Sequence, residues 1–203
     1  KERFMRSITS VILLVFVFQS YSQELPSEFD LRDVDGENYV TNIEDQEGGT
    51  CWAFATVASM ESNLKMTGVW NNSGEVGNPD LAEYHMDWWS GFNDHYNNDA
   101  NPPSGSGVET HQGGNYRMAA AYLTRGTGAV RNQDGQSYNN APEEYDPGYH
   151  LFRPRHITWL NTGDRQENII KIKQAVKNHG GVATCIAYDE DFIDWQYNHY
   201  QPP

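Results

Sequence analysis

The feature that most constrains the fold of this chain is an apolar pattern at helical spacing that begins at Cys51. Apolar residues recur there at intervals of three and four positions, as expected for one face of a helix. They are Ala53, Phe54, Val57, Ala58, Met60 and Leu64. Gly68 follows the pattern and is typical of a helix end. The sequence therefore predicts a helix of about four turns whose first residue is Cys51.

Three further segments are predicted to be helical. Two of them run from Leu81 to Trp89 and from Asn115 to Thr124, and Gly126 closes the second. Residues 164–167 have the spacing of a capping box, and apolar residues continue at helical spacing up to Gly180. Tracts rich in Asn, Gly, Pro and Ser lie between the earlier segments and predict surface loops.

The second half of the chain has a different character. Residues 141–155 show no periodicity and predict an extended connector that crosses from one lobe to another. Val182 to Tyr188 is an apolar, β-prone run that predicts a buried central strand. Cys185 lies within that run, so we interpret it as a structural thiol in the core. A disulfide between Cys51 and Cys185, the two cysteines of the chain, is arithmetically possible.

Length and charge limit the classes of function. With 203 residues, the chain is long enough for one domain or for two small lobes that share a cleft. Its formal net charge of −14 argues against nucleic-acid binding, because few cations are present to neutralise phosphates. The same charge disfavours anionic membrane surfaces.

The first 22 residues predict a secretory signal peptide. Three cations in the first six positions precede the apolar run Val11–Phe18, and Ser20 and Ser22 lie at positions −3 and −1 of a cut before Gln23. The apolar run is well short of the roughly 20 residues that span a bilayer. We therefore expect a secreted, periplasmic or cell-surface protein with no membrane attachment after signal cleavage.

Cys51 is a candidate nucleophile. A cysteine attacks carbonyl groups as the thiolate, and the ordinary thiol pKa of about 8.5 leaves little thiolate at neutral pH. A helix N-terminus favours the thiolate through its unsatisfied N–H groups, which can also stabilise an oxyanion. Gly48 and Gly49 would let the backbone approach a substrate closely. The alternative is that these glycines form a turn before a buried helix.

Four separated motifs resemble those of the papain-like cysteine peptidases, peptidase family C1. Gln46 followed by the run Gly48–Phe54 resembles the family's active-site signature, in which a glutamine precedes Cys-Gly-Ser-Cys-Trp-Ala-Phe. The other three are Leu25-Pro26 with Phe29–Arg32, Leu81–Tyr84, and His111–Gly114. The chain is similar to a truncated, bacterial-looking, secreted member of this family.

The resemblance implies an α+β, papain-like fold with two lobes. Residues 23–203 would form the peptidase domain, with a helical left lobe over about 35–125 and part of a β-barrel right lobe over about 150–203. The barrel would be incomplete because the domain would be truncated at its C-terminal end.

The resemblance also implies roles for individual residues. Cys51 would be the nucleophile, and Gln46 would donate its side-chain amide to the oxyanion together with the Cys51 N–H. Gly113 and Gly114 would present a backbone edge to an extended polypeptide substrate. Trp52 would pack beside the site. The resemblance implies no cofactor and no metal, and we expect a monomer.

Departures from the family pattern are informative. Gly48 and His111 stand where the family has two cysteines that form a disulfide, so both halves of that bond are absent together. The interval from Gln46 to Cys51 is five positions rather than six. We interpret His111 as a loop residue rather than a base.

The catalytic base is not evident in the sequence. A cysteine nucleophile needs an imidazole to accept its proton and an Asn or Asp to orient the ring. His179 and His199 both lack the family's sequence context, so we expect the catalytic histidine and asparagine to lie beyond Pro203 and this fragment to be inactive. Two alternatives remain open: an inactive papain-like module for binding or adhesion, and a secreted structural domain with two buried thiols.

Overall fold

The computed structural model describes residues 25–161, 163 and 165–186, in which helices are the main regular elements and loops connect them. The helices are α1 (Cys51–Met66), α2 (Val69–Asn72), α3 (Glu83–Trp88), α4 (Tyr116–Arg125), α5 (Asn132–Gly135) and α6 (Gln166–His179). The predicted signal peptide over residues 1–22 and His199 lie outside the described residues.

Helix α1 is the centre of the packing, and it contacts α2, α3, α4 and α6. Its buried apolar side chains join a core with residues of α4 and of the loops between the helices. Prominent members of this core are Trp52, Ala53, Val57, Leu64, Trp70, Leu81, Met86, Met118, Tyr122, Leu123 and Phe152. Burying each large aliphatic side chain contributes about 1.5–3 kcal/mol, so this helix and its neighbours stabilise one another.

The predicted starts and ends of two helices are confirmed. Helix α1 begins at Cys51, and Gly68 follows its end with a φ of 68°, a left-handed conformation that favours glycine. Asn115 caps α4 by accepting hydrogen bonds from two backbone N–H groups, and Gly126 ends it with a φ of 85°. One detail of the prediction for α1 was wrong: Ala58, which was assigned to the apolar face, is exposed.

Helix α3 is shorter than the predicted segment from Leu81 to Trp89. Leu81 and Ala82 instead lie beside Val130, whose carbonyl accepts the Ala82 N–H at 2.8 Å. Ala129 in turn exchanges two backbone hydrogen bonds of 2.8 Å with Phe152. This pairing with a distant segment satisfies backbone groups that a helix would otherwise have used.

Helix α6 confirms the helix predicted up to Gly180, although its N-cap is Arg165 and has no side-chain capping bond. Asp164, the first residue of the expected capping box, lies outside the described residues. The C-terminal end of α6 rests on α1: Ser62 Oγ accepts the Gly181 N–H at 2.8 Å, and Asn63 Nδ2 donates to the His179 carbonyl at 2.8 Å.

The prediction for the following segment was wrong. Residues 182–186 form no strand, and Cys185 is exposed rather than buried in a core. A strand needs a neighbour for its backbone hydrogen bonds, and among the described residues the β-pairing consists of isolated bridges that do not involve this segment. The incomplete β-barrel lobe is therefore not confirmed. Tyr188, the end of the predicted strand, lies outside the described residues.

Both cysteines are free, so the disulfide between Cys51 and Cys185 is absent. Both are also exposed, which contradicts the alternative of a structural domain with two buried thiols. Among the described helices, none combines the length and the apolar character that a bilayer crossing requires.

Two buried carboxyl groups link α1 and α3 to the rest of the chain. Glu61 accepts hydrogen bonds from Thr41 Oγ1 at 2.7 Å and from the Leu81 N–H at 2.8 Å. Burial raises its pKa to about 7, and the two hydrogen bonds oppose that shift. Burial also raises the pKa of Glu83 to about 8, against a hydrogen bond of 2.7 Å from Gln136 Nε2.

We expect Glu61→Gln to stabilise the protein at pH 8 and to change little at pH 5. The pKa of Glu61 is about 7 in the fold against an ordinary 4.5, so the folded state retains a proton that the unfolded chain loses. Stability therefore falls as the pH rises from about 4.5 to 7, and a neutral amide avoids this loss. At pH 8 the gain should be about 2–3 kcal/mol by urea unfolding.

The exposed Glu28 provides the control. Glu28→Gln should leave the free energy of unfolding unchanged at both pH values. If Glu61→Gln changed the free energy of unfolding by the same amount at pH 5 and at pH 8, the assignment of a raised pKa to Glu61 would be contradicted.

Candidate active site

Cys51 is an exposed residue at the start of α1. The preceding Thr50 is fully buried, and its hydroxyl donates to the Glu47 carbonyl at 2.8 Å instead of capping the helix. Among the described residues, the backbone N–H groups of Cys51 and Trp52 have no acceptor. The first turn of α1 also contains no acidic side chain. The start of the helix thus keeps free donors beside the thiol.

Free N–H groups at a helix start have a definite chemical consequence. They carry the positive end of the helix dipole, which favours a nearby thiolate over a thiol. Such groups can also donate hydrogen bonds to the oxyanion that forms when a cysteine sulfur attacks a carbonyl carbon. The predicted location of Cys51 at an exposed helix start is confirmed, and its role as a nucleophile stays a prediction.

The loop before Cys51, residues 47–50, is attached to two distant segments. The Glu47 N–H donates to the Tyr84 hydroxyl at 2.8 Å, which ties the loop to α3. The Gly49 N–H donates to the His111 carbonyl at 2.6 Å, which ties it to the loop before α4. Together with the Thr50 hydroxyl, these bonds fix the path of the backbone into α1.

The glycines of the two loops allow this contact. A Cβ atom on Gly49 would lie 2.8 Å from the Gly113 nitrogen, and one on Gly48 would lie 2.6 Å from the His111 carbonyl oxygen. Gly48 also has a φ of 66°. Side chains at these positions would separate the two segments, so the close approach depends on glycine.

Gly113 and Gly114 lie next to the start of α1. Gly113 has a φ of 129° and open space where a side chain would be, while a Cβ on Gly114 would lie 2.3 Å from Trp52 Cε2. Trp52 is buried under this loop, which confirms its predicted packing beside the site. The structure therefore brings the motif around Cys51 together with the Gly113–Gly114 edge.

Gln46 directly precedes the loop 47–50 and is exposed. Its Nε2 donates to the Gly48 carbonyl at 3.2 Å, so its amide is held close to the backbone that precedes Cys51. Its role in stabilising an oxyanion stays a prediction.

His111 is more than the loop residue that the sequence indicated. It is buried, its Nδ1 contacts Asp87 Oδ2, and its Nε2 lies 2.9 Å from the Tyr138 carbonyl oxygen. Sequence reasoning missed Asp87 and Tyr138 altogether. The available signal was an acidic residue in the apolar run between Met86 and Trp88.

Two other histidines are held by partners other than Cys51. His85 is fully buried, with Nδ1 2.7 Å from the Tyr122 hydroxyl, and burial lowers its pKa to about 4. His150 Nδ1 lies 2.5 Å from Glu75 Oε1. His179 is exposed at the end of α6.

Within the described part of the chain, no histidine forms a hydrogen bond with the Cys51 thiol. No group of three or more His, Cys, Asp or Glu side chains there is arranged to hold a metal ion. An exposed thiol at a helix start, beside an open backbone edge, is the arrangement expected of hydrolases that act through a cysteine.

Comparison with known families agrees with this class. Residues 25–87 match the model for the papain family cysteine proteases. The resemblance inferred from the motifs is thereby confirmed over this segment, which is similar to cysteine peptidases at the level of the family. The match includes Cys51 and ends before Gly113, so the substrate-binding role of Gly113 and Gly114 stays a prediction. A search among curated proteins found no match.

We expect Gly114→Ala to destabilise the protein because the new methyl group would overlap the Trp52 ring. Trp52 is buried in the core, so its ring has little room to move. Overpacking of this kind costs about 1–3 kcal/mol. Urea unfolding monitored by tryptophan fluorescence would measure the loss.

Gly148→Ala is the matched control, because a Cβ there would meet only the exposed Asp146 carboxylate, at 3.0 Å. Its unfolding midpoint should equal that of the parent protein. Equal midpoints for Gly114→Ala and Gly148→Ala would show that the contact between Trp52 and Gly114 is not tight.

Proposed function

We propose that this protein is a papain-like cysteine endopeptidase that hydrolyses peptide bonds through a thioester on Cys51. The observation that carries the proposal is the exposed Cys51 thiol beside unpartnered N–H groups at the start of α1. The papain-family match over residues 25–87 supports it independently.

The proposed reaction has two steps. The Cys51 thiolate attacks the carbonyl carbon of the scissile bond, and the resulting oxyanion accepts hydrogen bonds from the Cys51 N–H and the Gln46 side chain. The carbon–nitrogen bond then breaks, the leaving amine takes the proton that the general base removed from the Cys51 thiol, and an acyl thioester remains. Water attacks that thioester, releases the carboxylic acid product and restores the thiolate.

The proposed substrate is an extended polypeptide. The Gly113–Gly114 edge has no side chains to obstruct a peptide backbone, and open space lies where a Gly113 side chain would be. Backbone pairing along such an edge is a common mode of peptide recognition. The mechanism requires neither a cofactor nor a metal ion.

The proposed mechanism also requires a general base. No histidine of the described residues hydrogen-bonds the Cys51 thiol, and His85, His111 and His150 have other partners, which favours a base from outside the described residues. His199 is the less favoured candidate because Tyr200 and two prolines follow it, and we propose a histidine and an asparagine beyond Pro203.

The cellular setting is part of the proposal. The pattern of residues 1–22 supports export, and the net charge of −14 supports a protein that binds neither nucleic acid nor anionic membranes. We propose that the exported protein acts as a monomer.

We expect an epoxide of the E-64 type, or iodoacetamide, to label Cys51 near neutral pH and faster than Cys185. Both thiols are exposed, but only Cys51 lies at the start of a helix, and alkylation follows the thiolate fraction. Peptide mapping by mass spectrometry would measure both rates over pH 5–9.

Cys51→Ala and Cys185→Ala provide matched controls. The first should abolish rapid labelling and peptide hydrolysis by the full-length protein, and the second should preserve both. Labelling of Cys51 only at high pH, at the rate of Cys185, would contradict the proposal. Rapid labelling of full-length protein without hydrolysis of any peptide would instead indicate an inactive binding module.

A further inference from the structure

We propose that His111 is a positioning residue for Cys51. The Asp87–His111 pair fixes His111, whose backbone carbonyl in turn holds the loop 47–50. The consequence for peptide hydrolysis rests on the proposed function, whereas the consequence for the loop itself does not. The inference depends on four observations: the two contacts of the His111 ring, its backbone contact with Gly49, and its backbone conformation.

The His111 ring is fixed by four contacts. Its Nδ1 contacts Asp87 Oδ2, and its Nε2 donates to the Tyr138 carbonyl at 2.9 Å. The ring also stacks on the Tyr138 ring at a centroid distance of 4.2 Å, and the edge-to-face contact with Trp88 is 4.6 Å. A ring held by two hydrogen bonds and two aromatic neighbours has little freedom to rotate.

The two hydrogen bonds define the protonation of the pair. The Tyr138 carbonyl only accepts, so Nε2 must carry a proton. The contact with Asp87 then needs one more proton, located either on Nδ1 or on the carboxyl group. The pair thus shares a proton between two buried groups, and burial raises the pKa of Asp87 while the hydrogen bond with His111 opposes that shift.

The backbone of His111 transmits this constraint to the loop before Cys51. Its carbonyl accepts the Gly49 N–H at 2.6 Å, two residues before the cysteine. Its φ is 66°, a conformation that residues other than glycine rarely adopt. A strained backbone of this kind persists when the surrounding contacts over-determine it, and the fixed ring supplies those contacts.

No covalent bond joins the two loops at this point. Gly48 and His111 adjoin so closely that a Cβ on Gly48 would lie 3.2 Å from His111 Cβ. The sequence has no cysteine at either position, so non-covalent contacts hold the two loops together: the Gly49 N–H bond to the His111 carbonyl joins them, and the Asp87–His111 pair fixes His111. The loop geometry therefore does not depend on an oxidising environment.

The pair is accessible to a small molecule from one side. An open hollow of about 420 Å³ reaches His111 from the surface. Its other lining residues are Trp88, Asp94, His95, Glu109 and Thr110. Free imidazole can therefore enter the space that the His111 ring would leave, next to Asp87 and Tyr138.

The test is His111→Gly in the full protein. Glycine adopts a φ of 66° without strain, so the variant deletes the imidazole without forcing the backbone to change. We expect hydrogen exchange of the Gly49 amide to accelerate about tenfold, equivalent to about 1.4 kcal/mol, and alkylation of Cys51 to slow. Added imidazole should restore both rates toward those of the parent.

Asp87→Asn and His150→Ala complete the design. Asp87→Asn keeps an acceptor for Nδ1 but removes the charge, so we expect a smaller change at Gly49 than in His111→Gly. His150→Ala breaks the contact of another histidine with a carboxylate, Glu75, which has no contact with the loop. It should leave Gly49 exchange and Cys51 alkylation unchanged.

The outcomes separate this inference from the proposed function. Unchanged Gly49 exchange in His111→Gly would overturn it, as would faster exchange spread evenly over α1 that imidazole does not reverse. Faster exchange at Gly49 that imidazole reverses would support it even if the parent protein hydrolyses no peptide. In that case the proposed peptidase activity alone would fail.

Discussion

The contact between the loop before Cys51 and the loop before α4 is the interaction on which the candidate site depends. A single short hydrogen bond joins Gly49 to the His111 carbonyl, and glycines on both sides let the two backbones touch. Because this contact orients the first turn of α1, it places the exposed thiol and the free N–H groups beside the Gly113–Gly114 edge. Neither loop would form this geometry alone.

Buried polar groups connect the packing of the helices to this contact. Tyr84 on α3 holds the Glu47 N–H, and Asp87 one turn later holds the His111 ring. Residues one turn apart on a helix share a face, so the same face of α3 supports both loops. Glu61 ties α1 to the segment that enters α3. The site is thus supported by hydrogen-bonded groups for which burial without a partner would be costly.

Local sequence patterns predicted α1, α4 and α6, but they missed the short helices α2 and α5 and failed where pairing with distant residues determines the structure. The apolar spacing from Cys51 and the caps at Asn115 and Gly126 are properties of adjacent residues, and the structure confirms them. The strand expected at residues 182–186 needs a neighbouring segment, which the described residues do not supply. The exposure of Cys185 follows from the same absence. In the candidate site, Cys51 and Trp52 were predicted, whereas Asp87 and Tyr138 were not.

The sequence by itself determined that Cys51 opens a helix and that glycines precede it, because helical periodicity and backbone freedom depend on residues close along the chain. It also carried the resemblance that the match over residues 25–87 confirms. Only the tertiary structure decided that His111 pairs with Asp87, 24 positions earlier, and that the His111 carbonyl accepts the Gly49 N–H. Contacts between segments so far apart depend on how the helices pack, and local sequence patterns do not predict that packing.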